Sequence, residues 1–172
     1  MFTLPMMADV TYTYTGNDFT STLGSYTTSD FVSGSFTVAT ALTAGLTEGH
    51  ITPLSYSFSD GLQTLDNTNS KILFFFIGTN VSGSITSWDI SVADPSDEHF
   101  VISTEHDLGG SEDSVQDPDA DGQANTTNNI TPPGTWMSQV DASPVPEPSS
   151  LALLGTGVLG LVGAGRRRFA RG

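Results

Sequence analysis

VTYTYT, residues 10–15, sets Val10, Tyr12 and Tyr14 against threonines at every second position. Side chains that alternate with period two belong to a strand, because successive Cβ atoms leave opposite faces of the pleat. Val10, Tyr12 and Tyr14 therefore read as a covered face and the threonines as a wet one. The pattern returns in GSFTVAT (34–40), with Phe36 and Val38 inward. It returns again in PLSYSFSDG (53–61), with Leu54, Tyr56 and Phe58 inward and a turn at Asp60-Gly61. KILFFFIG (71–78) is a continuous apolar run, which predicts a central strand covered on both faces, with Phe74 to Phe76 in the core. ITSWDISV (85–92) places Trp88, Ile90 and Val92 on one face. HFVIS (99–103) is a further short candidate, and GTWMSQV (134–140) a candidate last strand.

No stretch before Ser149 carries a helical stripe, and Gly, Asn and Ser separate the apolar runs. Many short strands with such punctuation predict an all-β fold, an antiparallel β-sandwich, jelly-roll-like, over residues 9–106. Between 107 and 133 the apolar residues thin to Leu108, Val115, Ile130 and a few alanines, which reads as an acidic loop or linker. Residues 141–148 read as a second, shorter linker.

Charge is distributed unevenly along the 172 residues. Of the 19 acidic side chains 18 precede Pro146, against one basic residue there, Lys71, so the body carries −17. From Pro146 onward Glu147 stands against Arg166, Arg167, Arg168 and Arg171, leaving +3. A body this negative repels phosphate backbones, which excludes nucleic acid as a partner. There is no cysteine, so disulfide scaffolds, thiolate metal sites and cysteine nucleophiles are excluded too. Stability has to come from a packed core, for which roughly 130 residues suffice.

Leu151 to Gly165 is uncharged and mostly apolar. As a helix these residues would span about 22 Å, short of the ~30 Å hydrocarbon core. Residues 149–165 are thus expected to form a single short transmembrane helix, weakened by five glycines (Gly155, Gly157, Gly160, Gly163 and Gly165). The basic tail, residues 166–172, orients it. Arg166, Arg167 and Arg168 are expected to stay cytoplasmic and to place the body across the lipid bilayer.

VPEPSSLALLGTGVLGLVGAGRRRF (145–169) resembles the PEP-CTERM sorting signal of Gram-negative bacteria. That pattern is a Pro-Glu-Pro triplet, a short glycine-containing apolar helix and a terminal Arg cluster. The triplet falls on Pro146, Glu147 and Pro148, and the other two elements follow in order. The resemblance implies processing by an exosortase near the triplet. Glu147 is then a recognition residue in a substrate, and the prolines hold the strip extended. It also implies a precursor anchored in the inner membrane with its body in the periplasm, then a place in the cell envelope, at the cell surface or in the extracellular matrix. YTYTGNDF, YTTSDFVSGSFTV, LSYSFSDG and ITSWDI, spread over Val10 to Ile90, are similar to a widespread type of PEP-CTERM protein. That likeness implies a β-rich body and no activity.

MFTLPMMADV (1–10) ends its apolar stretch at Ala8 before Asp9, as a signal peptide does, but carries no basic residue. Residues 1–8 are read as the remnant of an export signal, with the true start expected upstream.

One local motif calls for a ligand. DPDADGQAN (117–125) spaces Asp117, Asp119 and Asp121 at alternate positions, with Gly122 for a turn and Gln123 and Asn125 beyond. This is the start of a calcium loop, so calcium is the candidate cofactor. The twelfth position holds Asn128 instead of Glu, which argues against a full EF-hand. DEHFVISTEHD (97–107) gathers His99, Glu105 and His106 with neighbouring carboxylates, but seven residues separate the histidines, which places them on opposite faces of one strand. No serine sits in Gly-x-Ser-x-Gly. These features lead to the expectation of a non-enzymatic, exported structural or polysaccharide-associated protein, with exosortase, the bilayer and exopolysaccharide as partners. The alternatives are a secreted hydrolase using Glu98, Glu105 and Asp107, and a calcium-dependent adhesion or binding module.

Overall fold

The computed structural model describes residues 8–97, 99–107, 110–117, 119–125 and 132–140. Residues 1–7 of the expected export remnant, the Pro-Glu-Pro triplet, the transmembrane helix and the arginine tail lie outside them. Among the described residues all regular structure is strand, and no helix is long and apolar enough to cross a membrane.

Two antiparallel sheets enclose one core. The first has five strands in the order β12-β1-β3-β5-β6: β1 (Val10–Gly16), β3 (Ser33–Val38), β5 (Ser55–Ser59), β6 (Thr64–Asp66) and β12 (Gly134–Val140). The second has seven in the order β2-β11-β10-β9-β8-β7-β4. These are β2 (Ser21–Leu23), β4 (Gly49–His50), β7 (Lys71–Thr79), β8 (Ile85–Ala93), β9 (Val101–His106), β10 (Ser111–Asp117) and β11 (Ala120–Asn125). From β1 to β5 the chain alternates between the sheets. From β7 to β11 it runs as a meander within one, which departs from a jelly roll.

Period two explains the strands that sequence pattern predicts. Val10, Tyr12 and Tyr14 are buried, as are Phe36 and Val38 on β3 and Tyr56 and Phe58 on β5. Rings from the two sheets meet edge-on in the middle. Phe36 lies 5.2 Å from Phe75 and Tyr14 5.7 Å from Trp88, centroid to centroid. Such edge-to-face contacts set the positive rim of one ring against the negative face of another.

Three expectations need correction. Leu54 precedes β5 and is exposed, so the inward face of that strand begins at Tyr56. β7 is only partly covered on its second face, where Phe74 is exposed and Phe76 half-buried. Phe75 and Ile77 are fully buried, whereas Leu73 is 42 % and Phe74 51 % exposed, beside a bulge between Ile72 and Phe74 that shifts the register. The largest correction concerns 107–133. Residues 111–125 contain the hairpin β10–β11, paired in register from Glu112↔Asn125 to Asp117↔Ala120. The reason is chemical. The core face of β10 is Ser111, Asp113 and Val115, so two of its three inward positions are polar and period two has no apolar signature.

Candidate functional site

β12 forms one edge of the five-stranded sheet, and its side chains face the start of β8 across a groove. One cavity of about 340 Å³ is lined by Ile85, Thr86, Trp88, His106, Pro132, Gly134, Thr135 and Trp136. A second, of about 150 Å³, is lined by Tyr12, Ser82, Gly83, Ser84, Ile85, Trp136, Met137 and Ser138. Ile85 and Trp136 belong to both, so the two are neighbouring compartments of one groove. A separate hollow of about 360 Å³ lies along residues 38–52, with His50 its sole ring among the described residues.

The groove is built from the aromatic end of the core. Trp88 points inward from β8 and donates its indole N–H to Thr104 Oγ1 at 2.8 Å. Its ring stands 5.0 Å from His106 and 6.0 Å from Trp136, nearly perpendicular to the latter. Trp136 packs in turn on Tyr14 at 4.9 Å and Phe36 at 5.4 Å. Gly134 carries no side chain where the Tyr14 hydroxyl lies; a Cβ there would overlap it. His106 is held at both nitrogens, with Nδ1 2.8 Å from Ser111 Oγ and Nε2 3.4 Å from Asp107 Oδ2. Among the described residues the buried Trp136 indole nitrogen has no acceptor. On the far rim, the Asn80 side-chain oxygen accepts from the backbone N–H groups of Ser82 and Ser84, fixing that turn.

Behind this end of the core sits a carboxyl group that sequence pattern did not reveal. Asp113 is fully buried, and its Oδ1 accepts a 2.7 Å hydrogen bond from Tyr14 across the two sheets. Among the described residues its Oδ2 has no donor. Burial drives the Asp113 carboxyl up to about 8. Hydrogen bonds from Thr104 and Tyr14 oppose that rise and the Glu112 charge adds to it. Burial, then the Asp113 charge, likewise lifts the Tyr14 hydroxyl far above its ordinary range, so it remains a donor.

The residues singled out from sequence fall in several places. Asp117 closes β10, Asp119 is in the turn, and Asp121 and Gln123 lie on β11 with Asn125 at its end. The backbone N–H of Asp119 donates to Asp117 Oδ1 at 2.9 Å, an internal turn contact. Among the described residues no group of three His, Cys, Asp or Glu side chains is gathered to hold a metal ion. His99 is exposed beside Asp97, whereas His106 on β9 is buried. Glu98 lies outside the described residues. Glu105 stands in register between Asp89 on β8 and Glu112 on β10, a row of three carboxylates that sequence alone did not bring together. Desolvation raises Glu105, with further upward pushes from Asp89 and Glu112, and desolvation raises Asp89.

Pro146, Glu147, Pro148 and Arg166, Arg167 and Arg168 lie outside the described residues, and for them comparison of the sequence decides. Residues 144–168 match the family model of the PEP-CTERM protein-sorting motif. The chain carries a PEP-CTERM signal. Such signals are recognised by exosortase, which makes this an exosortase-targeted protein of the envelope or exterior, anchored in a membrane as a precursor and then exported. No curated protein and no solved structure matches the chain.

Proposed function

We propose that this protein is a non-enzymatic component of the cell envelope or extracellular matrix, structural or polysaccharide-associated, whose β-rich body faces the periplasm before the tail is removed. The observation that carries this reading is the PEP-CTERM match at residues 144–168. The acidic body supports it, because a charge of −17 before Pro146 keeps a secreted domain soluble and away from phosphate polymers. Intact-mass analysis of the exported protein, beside a strain lacking exosortase, tests the reading. The competent strain should yield a species cut near Pro146–Pro148 and the deficient strain a longer, membrane-held one. A mature species that still carries Arg166 to Arg171 in the competent strain overturns it.

The Asp89–Glu105–Glu112 row favours a second reading, a secreted hydrolase. A carboxyl raised by burial and by like charges is what a general acid requires. Glycan hydrolysis by the wild type that disappears in Glu105→Gln would displace the non-enzymatic reading.

A further inference from the structure

We infer that the groove along β12 is a binding site for a linear, uncharged glycan, with Trp136 as the platform between two sugar subsites. The inference rests on the proposed polysaccharide association and gives it a place on the molecule.

Charge is the first argument. Although 18 carboxylates crowd the body, neither compartment of the groove is lined by Asp, Glu, Lys or Arg among the described residues. An anionic polymer would meet the field of the whole body with no cation in the groove to hold it, and a cationic one would find no carboxylate on the walls. An uncharged chain meets neither penalty.

The wall chemistry is the second argument. The larger compartment is lined by the partly exposed Trp136 indole, with the buried Trp88 and His106 rings behind it and Thr86 beside it. The smaller one offers Ser82, Ser84 and Ser138. Aromatic surface flanked by hydroxyls matches a pyranose ring, which has an apolar C–H face and a polar rim. The C–H groups, partly positive, rest on the negative face of an aromatic ring while the hydroxyls exchange hydrogen bonds at the edge.

Shape is the third. Volumes of about 340 and 150 Å³ on either side of the shared Ile85 and Trp136 suit successive units of a chain better than one isolated sugar.

The test uses the exported protein as recovered from cells. Trp88 and Trp136 are its two tryptophans and both line the groove, so intrinsic fluorescence reports occupancy directly. Titration with linear hexasaccharides of β-1,3-, β-1,4- and α-1,4-linked glucose should give a saturable change for at least one of them. An oligouronate of equal length should give none. Ser138, exposed on the same face of β12 as Trp136 and lining the smaller compartment, allows Ser138→Arg to narrow the groove without touching the core, and this variant should bind at least tenfold more weakly with an unchanged circular dichroism spectrum. Silence with all three neutral glycans, equal binding by folded Ser138→Arg, or a response only to extended peptides each overturns the inference. Those outcomes leave the sorting test untouched, since tail removal is read by mass alone.

Discussion

Asp113 shows how one side chain ties stability to pH in this molecule. Its carboxyl is fully buried between the sheets and bonded through one oxygen to Tyr14. With a folded-state pKa near 8, against about 3.8 for a free aspartate, the native state holds the proton more tightly than the unfolded chain does. Its contribution is therefore whole below about pH 4 and is lost progressively as the pH rises towards 8. Asp113→Asn keeps an acceptor for Tyr14 and cannot ionise. Urea unfolding at pH 5, 7 and 9 should show the wild type weakening along that series and the variant holding nearly level, ahead by about 2 kcal/mol at pH 9. Parallel curves for the two proteins would remove Asp113 as the cause. Gly16 belongs to the same arrangement. A Cβ there would overlap Asp113 Oδ2 and the Val32 carbonyl, so the carboxyl fits because the residue opposite has no side chain.

At the scale of elements, the outward face of β8–β9–β10 carries a conflict within the seven-stranded sheet. Asp89, Glu105 and Glu112 stand side by side across three strands, and like charges directly opposite one another weaken a sheet. Glu105, in the middle, is raised by burial and by both neighbours. Raised acids favour the folded state at low pH and cease to do so once they ionise. Glu105→Gln should therefore stabilise the protein by about 0.5 kcal/mol at pH 7 and leave it unchanged at pH 3, as measured by thermal unfolding at both values. A loss of stability at pH 7 would show that the row is held by attractive partners. The hairpin β10–β11 illustrates a different point about elements. Its pairing follows from register with β9, where Ser111 meets His106 and Asp113 meets Thr104. Polar residues occupy the core side of that strand because polar partners were already waiting on the next one.

The whole body carries −17 before Pro146, and self-repulsion of that size opposes compactness until counter-ions screen it. Raising the salt from 10 to 150 mM shortens the screening length from about 30 to about 8 Å. Tm should rise by about 3 °C over that interval, a shift expected from roughly 1 kcal/mol in a domain of this size. A flat salt response would mean that the carboxylates are already neutralised, for example by bound cations.

What the sequence by itself determined is the all-β class, most inward faces and the address. Alternation of apolar and hydroxyl residues is a local signal, visible in VTYTYT before any partner strand is known. The sorting signal is local as well, being three ordered elements within residues 144–168. The tertiary structure alone decided the rest. Tyr14 and Asp113 are 99 residues apart, and nothing in either neighbourhood announces their hydrogen bond. Trp136 reads as one position of an edge strand until β8 is seen across from it. Burial of polar groups depends on partners from distant strands, so its trace in the sequence looks like an exposed loop. That is why residues 107–133, thin in apolar side chains, conceal two strands, with Ser111 and Asp113 on the inward face of β10 held by hydrogen bonds to His106 and Tyr14.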